Sequence, residues 1–200
     1  MKLRMSITSP FVRKCLIVAI EAGLDAQIER VPTSPWAPDT DLPKDNPLNK
    51  IPTLITDGGE VLYDSPVICE YLDSLHGGRK LIPVSGGERW RHLRLAALGD
   101  GIMDAAVQIR IETAIRPEDR RWPQWIERQT GAITRGLAGL EAECGDWGDD
   151  FLIGQITVAT ALGYLDFRPI IAWRTAAPAL AAWFTKVSAR ASISTTVPVE

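Results

Sequence analysis

The fold is decided by the stretch Asn46-Pro47-Leu48-Asn49-Lys50-Ile51-Pro52-Thr53-Leu54, where an irregular, proline-rich segment gives way to a short apolar run. The runs from Pro52 to Ile55 and from Glu60 to Tyr63 flank Asp57-Gly58-Gly59. Two short apolar runs around an Asp-Gly turn are typical of a β-hairpin. We therefore expect an antiparallel pair of strands here.

Two helices are expected to begin with the same device, a capping residue followed by proline. Upstream, a strand from Lys2 to Ile7 leads into Thr8-Ser9-Pro10, and apolar residues then recur at helical spacing until Gly23. Downstream, Asp64-Ser65-Pro66 opens a second helix that ends before Gly77-Gly78. With a further strand from Gln27 to Val31, the predicted order is β, α, β, irregular, β, β, α.

The pattern changes after Pro83, where strand signals cease and helical periodicity takes over. Residues 88–116 are expected to form a long helix despite Gly99 and Gly101, and three more apolar stripes predict further helices around residues 125–140, 158–165 and 180–187. The fold class is therefore α/β plus all-α. We expect an amino-terminal α/β domain at 1–80, a linker at 81–87 and a helical bundle at 88–200.

Charge and hydropathy exclude several functions. The chain of 200 residues has a formal net charge of -3, and the charge divides evenly, with 9 basic and 11 acidic side chains in residues 1–83 and 13 and 14 in the remainder. Without a basic stripe, the electrostatic driving force for nucleic-acid binding is missing. We expect no membrane association, because no run approaches the length of a membrane helix. The first residues do not resemble a secretory signal either.

The cysteines argue against metal or disulfide chemistry. Cys15, Cys69 and Cys144 are odd in number and far apart, and the chain has two histidines and no CxxC pair. A zinc site or a disulfide framework normally needs paired, regularly spaced ligands. We therefore expect no metal and a reducing, cytoplasmic location.

Taken in order, the helix start at Ser9-Pro10-Phe11-Val12-Arg13-Lys14, the stretch 46–54 and Leu62-Tyr63-Asp64-Ser65 resemble the cytosolic glutathione transferases. The resemblance covers essentially the whole chain. Two later stretches, 101–104 and 161–168, are similar to one bacterial subgroup of the family. The resemblance implies a thioredoxin-like domain that binds glutathione, followed by an all-helical domain.

The resemblance also implies which residues hold glutathione. Asp64 and Ser65 would bind the γ-glutamyl end at a helix N-terminus, where free N–H groups favour a carboxylate; simple capping of that helix is the alternative. Ile51-Pro52 would be a cis peptide whose main chain pairs with the cysteinyl backbone of glutathione. The alternative is an ordinary trans proline at the start of an edge strand.

Ser9 is the residue implied for catalysis. Only the thiolate of glutathione is a good nucleophile, and a hydroxyl that donates to the sulfur at a helix N-terminus stabilises the anion. Ser9 would activate the thiol without attacking any atom itself. Its alternative role is that of a structural N-cap, and Thr8 is its nearest rival.

The electrophile site is the least determined part. By resemblance it lies between the two domains, which makes Phe11, Trp36, Met103, Gln108 and Arg110 candidates, although residues of these types on a helix often belong to the core or to a solvated face. The charges of Arg13 and Lys14 would either attract the anionic tripeptide or lie on the wet side of their helix.

Three functions compete. The first is a homodimeric transferase that uses glutathione as co-substrate and conjugates it to a small hydrophobic electrophile in detoxification. The second is a glutathione-binding or interaction module without turnover, since the first strand lacks a tyrosine and Cys15 lies at a core-facing position. The third, a thiol–disulfide oxidoreductase, conflicts with the absent CxxC pair.

The resemblance also implies a Ser/Thr-x-x-Asp cap for the central helix of the second domain. Residues 157–160 occupy that position, where Thr157 can still cap the helix but the partner carboxylate is lost.

Overall fold

A computed structural model describes residues 1–199 of the protein. Its amino-terminal half contains four strands and two helices among these residues: β1 Lys2–Met5, α1 Pro10–Glu21, β2 Glu29–Pro32, β3 Thr53–Ile55, β4 Val61–Leu62 and α2 Ser65–Ser74. Short 3-10 turns lie at Asp25–Gln27 and Leu42–Lys44. The observed order is the predicted one.

The carboxyl-terminal half contains helices and no strand among its described residues. Its helices are α3 Gly86–Arg110, α4 Pro123–Glu143, α5 Ile153–Phe167, α6 Trp173–Ala176, α7 Pro178–Val187 and α8 Ala191–Ser194, with a π-helical turn at Ile111–Ile115 and 3-10 turns at Glu118–Arg120 and Cys144–Asp146. The predicted long helix at 88–116 thus ends six residues early as an α-helix and finishes as the wider π turn. Within residues 1–199, no helix is both long enough and apolar enough to span a bilayer.

The sheet is mixed, with the strand order β2-β1-β3-β4. Strand β1 pairs parallel with β2, placing Leu3 opposite Arg30, and antiparallel with β3, placing Leu3 opposite Leu54. The predicted hairpin is present, since β3 pairs antiparallel with β4. Leu3 and Leu54 are fully buried. This is the thioredoxin-like sheet that the sequence predicts, followed by the helical domain.

The two helix starts behave differently. Ser9 caps α1, because its Oγ accepts a hydrogen bond from the Val12 N–H at 3.4 Å and Pro10 occupies the first helical position. Asp64 is the N-cap residue of α2, yet its side chain makes no capping hydrogen bond. Capping therefore accounts for Ser9 in part and does not account for the Asp64 carboxylate.

The start of α5 corrects one expectation. Thr157 lies inside α5, which begins at Ile153, and its hydroxyl donates to the Ile153 carbonyl at 2.7 Å. The side chain that serves the helix start is Gln155, whose Oε1 accepts from the Leu152 N–H at 3.2 Å. The family pattern Ser/Thr-x-x-Asp places the cap at Thr157, whereas the helix begins four residues earlier, at Ile153.

The connection between the halves is held by one buried carboxylate. Asp73 accepts hydrogen bonds from the Leu81 N–H at 2.7 Å and from the Ile82 N–H at 3.2 Å. The Leu81 carbonyl in turn accepts from the Ile153 N–H at 2.9 Å. The division of the chain into domains at 81–87 stays a prediction, and α3 already begins at Gly86.

Two cations of α1 join the halves. The Lys14 ammonium lies 2.6 Å from Oδ1 of Asp100 on α3 and is 1% exposed. The Arg13 guanidinium donates to the Ile193 carbonyl at 3.1 Å, and burial lowers its pKa to about 10. Neither expectation for these residues was right, because both side chains point into the interior instead of into solvent or toward a ligand.

A glycine allows α3 and α5 to pack closely. A Cβ atom at Gly99 would lie 3.0 Å from the carbonyl carbon of Thr157, whereas a Cβ at Gly101 would meet nothing within 4 Å. Backbone cannot move aside as a flexible side chain can, so substitution at Gly99 forces the two helices apart.

We therefore expect Gly99→Ala to lower the free energy of unfolding by about 1–3 kcal/mol, the usual cost of overpacking. Gly101→Ala is the matched control on the same helix and should raise it by about 0.5–1 kcal/mol, because alanine has the higher helix propensity. Urea unfolding of both variants checks this. Equal effects at the two positions would contradict the close approach of the helices.

Candidate active site

A cleft of about 650 Å3 lies between the two halves. Its lining comes from the start of α1 and the residues before it, from the irregular segment 34–36, from 48–51, from the second half of α3 with the π turn, and from the end of α5. The lining residues are Ser6, Thr8, Ser9, Pro10, Phe11, Ser34, Pro35, Trp36, Leu48, Asn49, Lys50, Ile51, Asp104, Val107, Gln108, Arg110, Ile111, Ile115, Tyr164 and Arg168.

The edge of the cleft at Ile51 is shaped by a buried asparagine. Asn46 donates from Nδ2 to the Lys50 carbonyl at 3.0 Å and to Thr53 Oγ1 at 3.1 Å, and its Oδ1 accepts from the Leu48 N–H at 3.0 Å. The Ile51–Pro52 peptide bond is cis, as expected. Within residues 1–199, the backbone N–H and C=O of Ile51 make no hydrogen bond.

Three hydroxyls gather at the start of α1. Ser6 Oγ and Thr8 Oγ1 lie 3.1 Å apart and share a hydrogen bond. Ser9 Oγ accepts from the Val12 N–H, and its own proton has no acceptor within residues 1–199. Because Thr8 and Ser9 both line the cleft, the choice between them stays a prediction in favour of Ser9.

Asp64 and Ser65 lie at the N-terminus of α2. Ser65 is 2% exposed, and its hydroxyl makes no hydrogen bond within the described residues. The Asp64 carboxylate is exposed and likewise without a partner there. Burial raises the pKa of the Asp104 carboxyl, and the charges of Asp100 and Asp64 add to that rise. The charge of Asp64 therefore acts on Asp104, which lies in the cleft wall.

Four of the five residues predicted for the electrophile site line the cleft, and one does not. Phe11, Trp36, Gln108 and Arg110 line the cleft. Met103 does not, because its side chain is fully buried in the hydrophobic core. Position 103 lies on the face of α3 that packs against the other helices, and we leave it out of the site.

The loop that carries Trp36 is fixed at both ends. Arg4 Nη2 lies 2.9 Å from Asp41 Oδ1 and 2.8 Å from Asp45 Oδ2, which ties the loop to β1. Asn49 donates from Nδ2 to the Pro35 carbonyl at 3.0 Å. The wall of the cleft at Trp36 is therefore attached to both the sheet and the 46–54 turn.

Sequence reasoning missed part of the wall. Val107, Ile111 and Ile115 form an apolar strip, and their spacing of four residues along α3 and its π turn is a signal that could have identified it. Tyr164 and Arg168 also stand four apart, at the end of α5. Burial raises the pKa of the Tyr164 phenol, while the positive charges of Arg168 and Arg110 oppose the rise.

The cysteines lie away from this cleft. Cys15 and Cys69 are buried with their sulfur atoms 4.0 Å apart, and burial raises the pKa of the Cys15 thiol well above its usual value. Among the lining residues there is no cysteine. In the described part of the chain, no three His, Cys, Asp or Glu side chains form a group that could hold a metal ion.

Comparison with known proteins defines the class. The model of the glutathione S-transferase N-terminal domain matches residues 8–75, and that of the glutathione S-transferase C-terminal domain matches residues 123–186. The chain belongs to the glutathione S-transferase family.

Particular relatives extend over the full length. The chain is 34% identical to the uncharacterized GST-like protein YibF of Escherichia coli strain K12, over 99% of this chain and 98% of that one. A glutathione transferase family member from Pseudomonas fluorescens Pf-5, solved with bound glutathione, superposes with a TM-score of 0.94 at 48% identity, covering 100% and 99% of the two chains. A structure of a family member from the same organism with bound S-(propanoic acid)-glutathione gives 0.92 at 45% identity, with full coverage of both chains.

Proposed function

We propose that this protein is a glutathione transferase that activates the thiol of glutathione as thiolate and adds it to a small hydrophobic electrophile. The observation that carries the proposal is the pairing, in one cleft, of a free main-chain edge at Ile51 with the hydroxyls of Thr8 and Ser9. A relative that is 48% identical binds glutathione, which supports the same ligand here.

In this proposal the tripeptide is held at its backbone and at its γ-glutamyl end. The N–H and C=O of Ile51 pair with the cysteinyl main chain as an added strand would. The Ser65 hydroxyl and the N–H groups at the start of α2 receive the γ-glutamyl carboxylate, since a helix N-terminus favours an anion. The partnerless Asp64 carboxylate receives the α-ammonium. The exposed cation of Lys50 adds attraction for the anionic tripeptide.

The chemical step requires the thiol to lose its proton. The Ser9 hydroxyl, whose oxygen already accepts from Val12, donates to the sulfur and stabilises the thiolate together with the N-terminus of α1. The thiol proton passes to solvent. The sulfur lone pair then forms the C–S bond at the electrophilic carbon, and the leaving group or the π electrons depart from that carbon.

The electrophile lies against the apolar wall of the cleft. Phe11, Val107, Ile111 and Trp36 supply apolar surface beside the hydroxyls, with Gln108 and Arg110 as polar neighbours. The relative that holds S-(propanoic acid)-glutathione accommodates a conjugate with a short substituent on sulfur. This supports a small electrophile.

Assembly and location follow the family expectation as part of the same proposal. We propose a homodimer that acts in the cytoplasm in detoxification. The large exposed apolar side chains Leu48, Val67, Leu75 and Trp90 are available for a subunit contact.

Calorimetry with glutathione, followed by conjugation of 1-chloro-2,4-dinitrobenzene, tests the function. Saturable binding with turnover supports the transferase. Binding without turnover across a broad electrophile panel would favour the binding module instead, and the absence of heat at millimolar glutathione would overturn both.

Ser65→Ala should weaken glutathione binding about tenfold or more, because a hydrogen bond to a charged group contributes about 1.5–3 kcal/mol. Ser74→Ala is the control at the other end of α2, where the hydroxyl donates only to the Tyr71 carbonyl, and it should leave the affinity unchanged. Unchanged affinity in Ser65→Ala would remove Ser65 from the site.

A further inference from the structure

The wall of the cleft carries three positively charged side chains. Among the lining residues, Lys50, Arg110 and Arg168 are cationic, and Asp104 is the single carboxylate in this part of the described chain. Asp104 is electrostatically close to Lys50 and Asp64. Asp104 therefore marks the end of the wall beside α2, where the γ-glutamyl group of glutathione is proposed to bind.

Arg110 lies toward the end of the cleft wall that is farther from α2. It follows Asp104 by six residues on α3, which is about 9 Å along the helix axis. Its charge acts on the buried phenol of Tyr164, which is 5% exposed, as does the charge of Arg168. Arg110 is thus placed with the strip of Val107 and Ile111, where the electrophile lies in the proposed function.

The Arg110 guanidinium has no partner of its own. It is half-buried, and within residues 1–199 it makes no hydrogen bond and no ion pair. Most other arginines that are partly or fully buried have partners within the protein. Arg4 pairs with Asp41 and Asp45, and Arg13 donates to the Ile193 carbonyl. A cation that is partly shielded from water gains from pairing with an anion, and the guanidinium group suits a carboxylate.

We propose that the electrophile carries a carboxylate and that Arg110 binds it, which makes Arg110 a residue that determines substrate specificity. The proposal rests on the proposed transferase function. A guanidinium presents two parallel N–H groups that match the two oxygens of a carboxylate, and the apolar neighbours Val107 and Ile111 strengthen the pair by excluding water. The reactive carbon then projects from this anchor toward the hydroxyls at the start of α1.

A matched pair of aryl halides tests the proposal: 4-chloro-3-nitrobenzoate and its methyl ester. In both reactions the glutathione sulfur forms a bond to the ring carbon, chloride leaves, and the thiol proton passes to solvent. The two substrates differ in the negative charge. The specificity ratio is kcat/KM for the acid divided by kcat/KM for the ester, normalised to the uncatalysed rates.

We expect the wild-type ratio to favour the acid, and Arg110→Gln to lower this ratio about tenfold or more, the range of a hydrogen bond to a charged group. In Arg110→Lys the specificity ratio should fall less, because lysine keeps the positive charge but lacks the two parallel N–H groups of the guanidinium. Arg128→Gln removes the same charge from an exposed position on α4 outside the cleft and should leave the ratio unchanged.

A ratio that is the same in wild type and Arg110→Gln, with turnover of both substrates, would overturn the proposal and leave the transferase function intact. If neither substrate reacts, calorimetry of the two glutathione conjugates decides. Tighter binding of the carboxylate conjugate that is lost in Arg110→Gln would still support the anion site. Equal affinities for the two conjugates would reject it.

Discussion

Ser9→Ala is expected to raise the pKa of the thiol of bound glutathione by about 1–2 units. A hydrogen bond to a charged group contributes about 1.5–3 kcal/mol, and one pKa unit corresponds to about 1.4 kcal/mol. At a pH below this pKa the fraction of bound glutathione present as thiolate should therefore fall about tenfold or more. Ultraviolet absorbance of the thiolate as a function of pH measures the shift directly.

Two control variants separate catalysis from capping. Ser9→Asn keeps a good N-cap residue, so it should retain stability while losing the short hydroxyl contact to sulfur. Thr8→Val removes the neighbouring hydroxyl at nearly constant shape. A raised thiol pKa in Thr8→Val with no shift in Ser9→Ala would transfer the activating role to Thr8 and leave Ser9 as a cap.

Asp100→Asn is expected to have the largest effect on stability, lowering the free energy of unfolding by about 3–5 kcal/mol. The substitution leaves the Lys14 ammonium without its counter-charge while it is 1% exposed, and a buried unpaired charge is costly. Burial already raises the pKa of the Asp100 carboxyl, against which the Lys14 charge acts. Urea unfolding measures the loss.

The double variant Lys14→Met with Asp100→Leu tests the cause. Replacing both partners by apolar groups removes the unpaired charge, so the double variant should regain most of the stability lost in Asp100→Asn. Asp149→Asn breaks an ion pair of the same length at the surface, where solvent screens it, and should change stability very little. A mild effect of Asp100→Asn, similar to that of Asp149→Asn, would show that the buried pair is not essential.

The parts of the fold that local chemistry determines could be predicted from sequence. Ser9 and Pro10 mark the start of α1 by their own backbone preferences, and Asp57-Gly58-Gly59 marks the hairpin in the same way. Arg13 and Lys14 were misread because their partners, Ile193 and Asp100, lie 180 and 86 residues further along the chain. Helical periodicity predicts which face of the helix a side chain lies on, but it does not identify the residues that the side chain contacts.

The candidate site shows the same division. Ile51 could be placed because its neighbours form a recognisable motif, and its cis peptide bond to Pro52 is present. Met103 was placed in the cleft and lies in the core, because the rotational phase of a 25-residue helix is uncertain until its packing partners are known. Tyr164 and Arg168 reach the cleft only because α5 ends beside it, which no local signal shows.

The contacts of Arg13 and Lys14 on α1 affect how the protein unfolds. Lys14 holds α3 and Arg13 holds α8, so one helix of the thioredoxin-like half is attached at two places to the other half. If either half unfolds alone, the buried cations of Lys14 and Arg13 lose their partners in the other half. The protein should consequently unfold as a single cooperative unit, and the same two contacts fix the spacing of the halves on either side of the cleft.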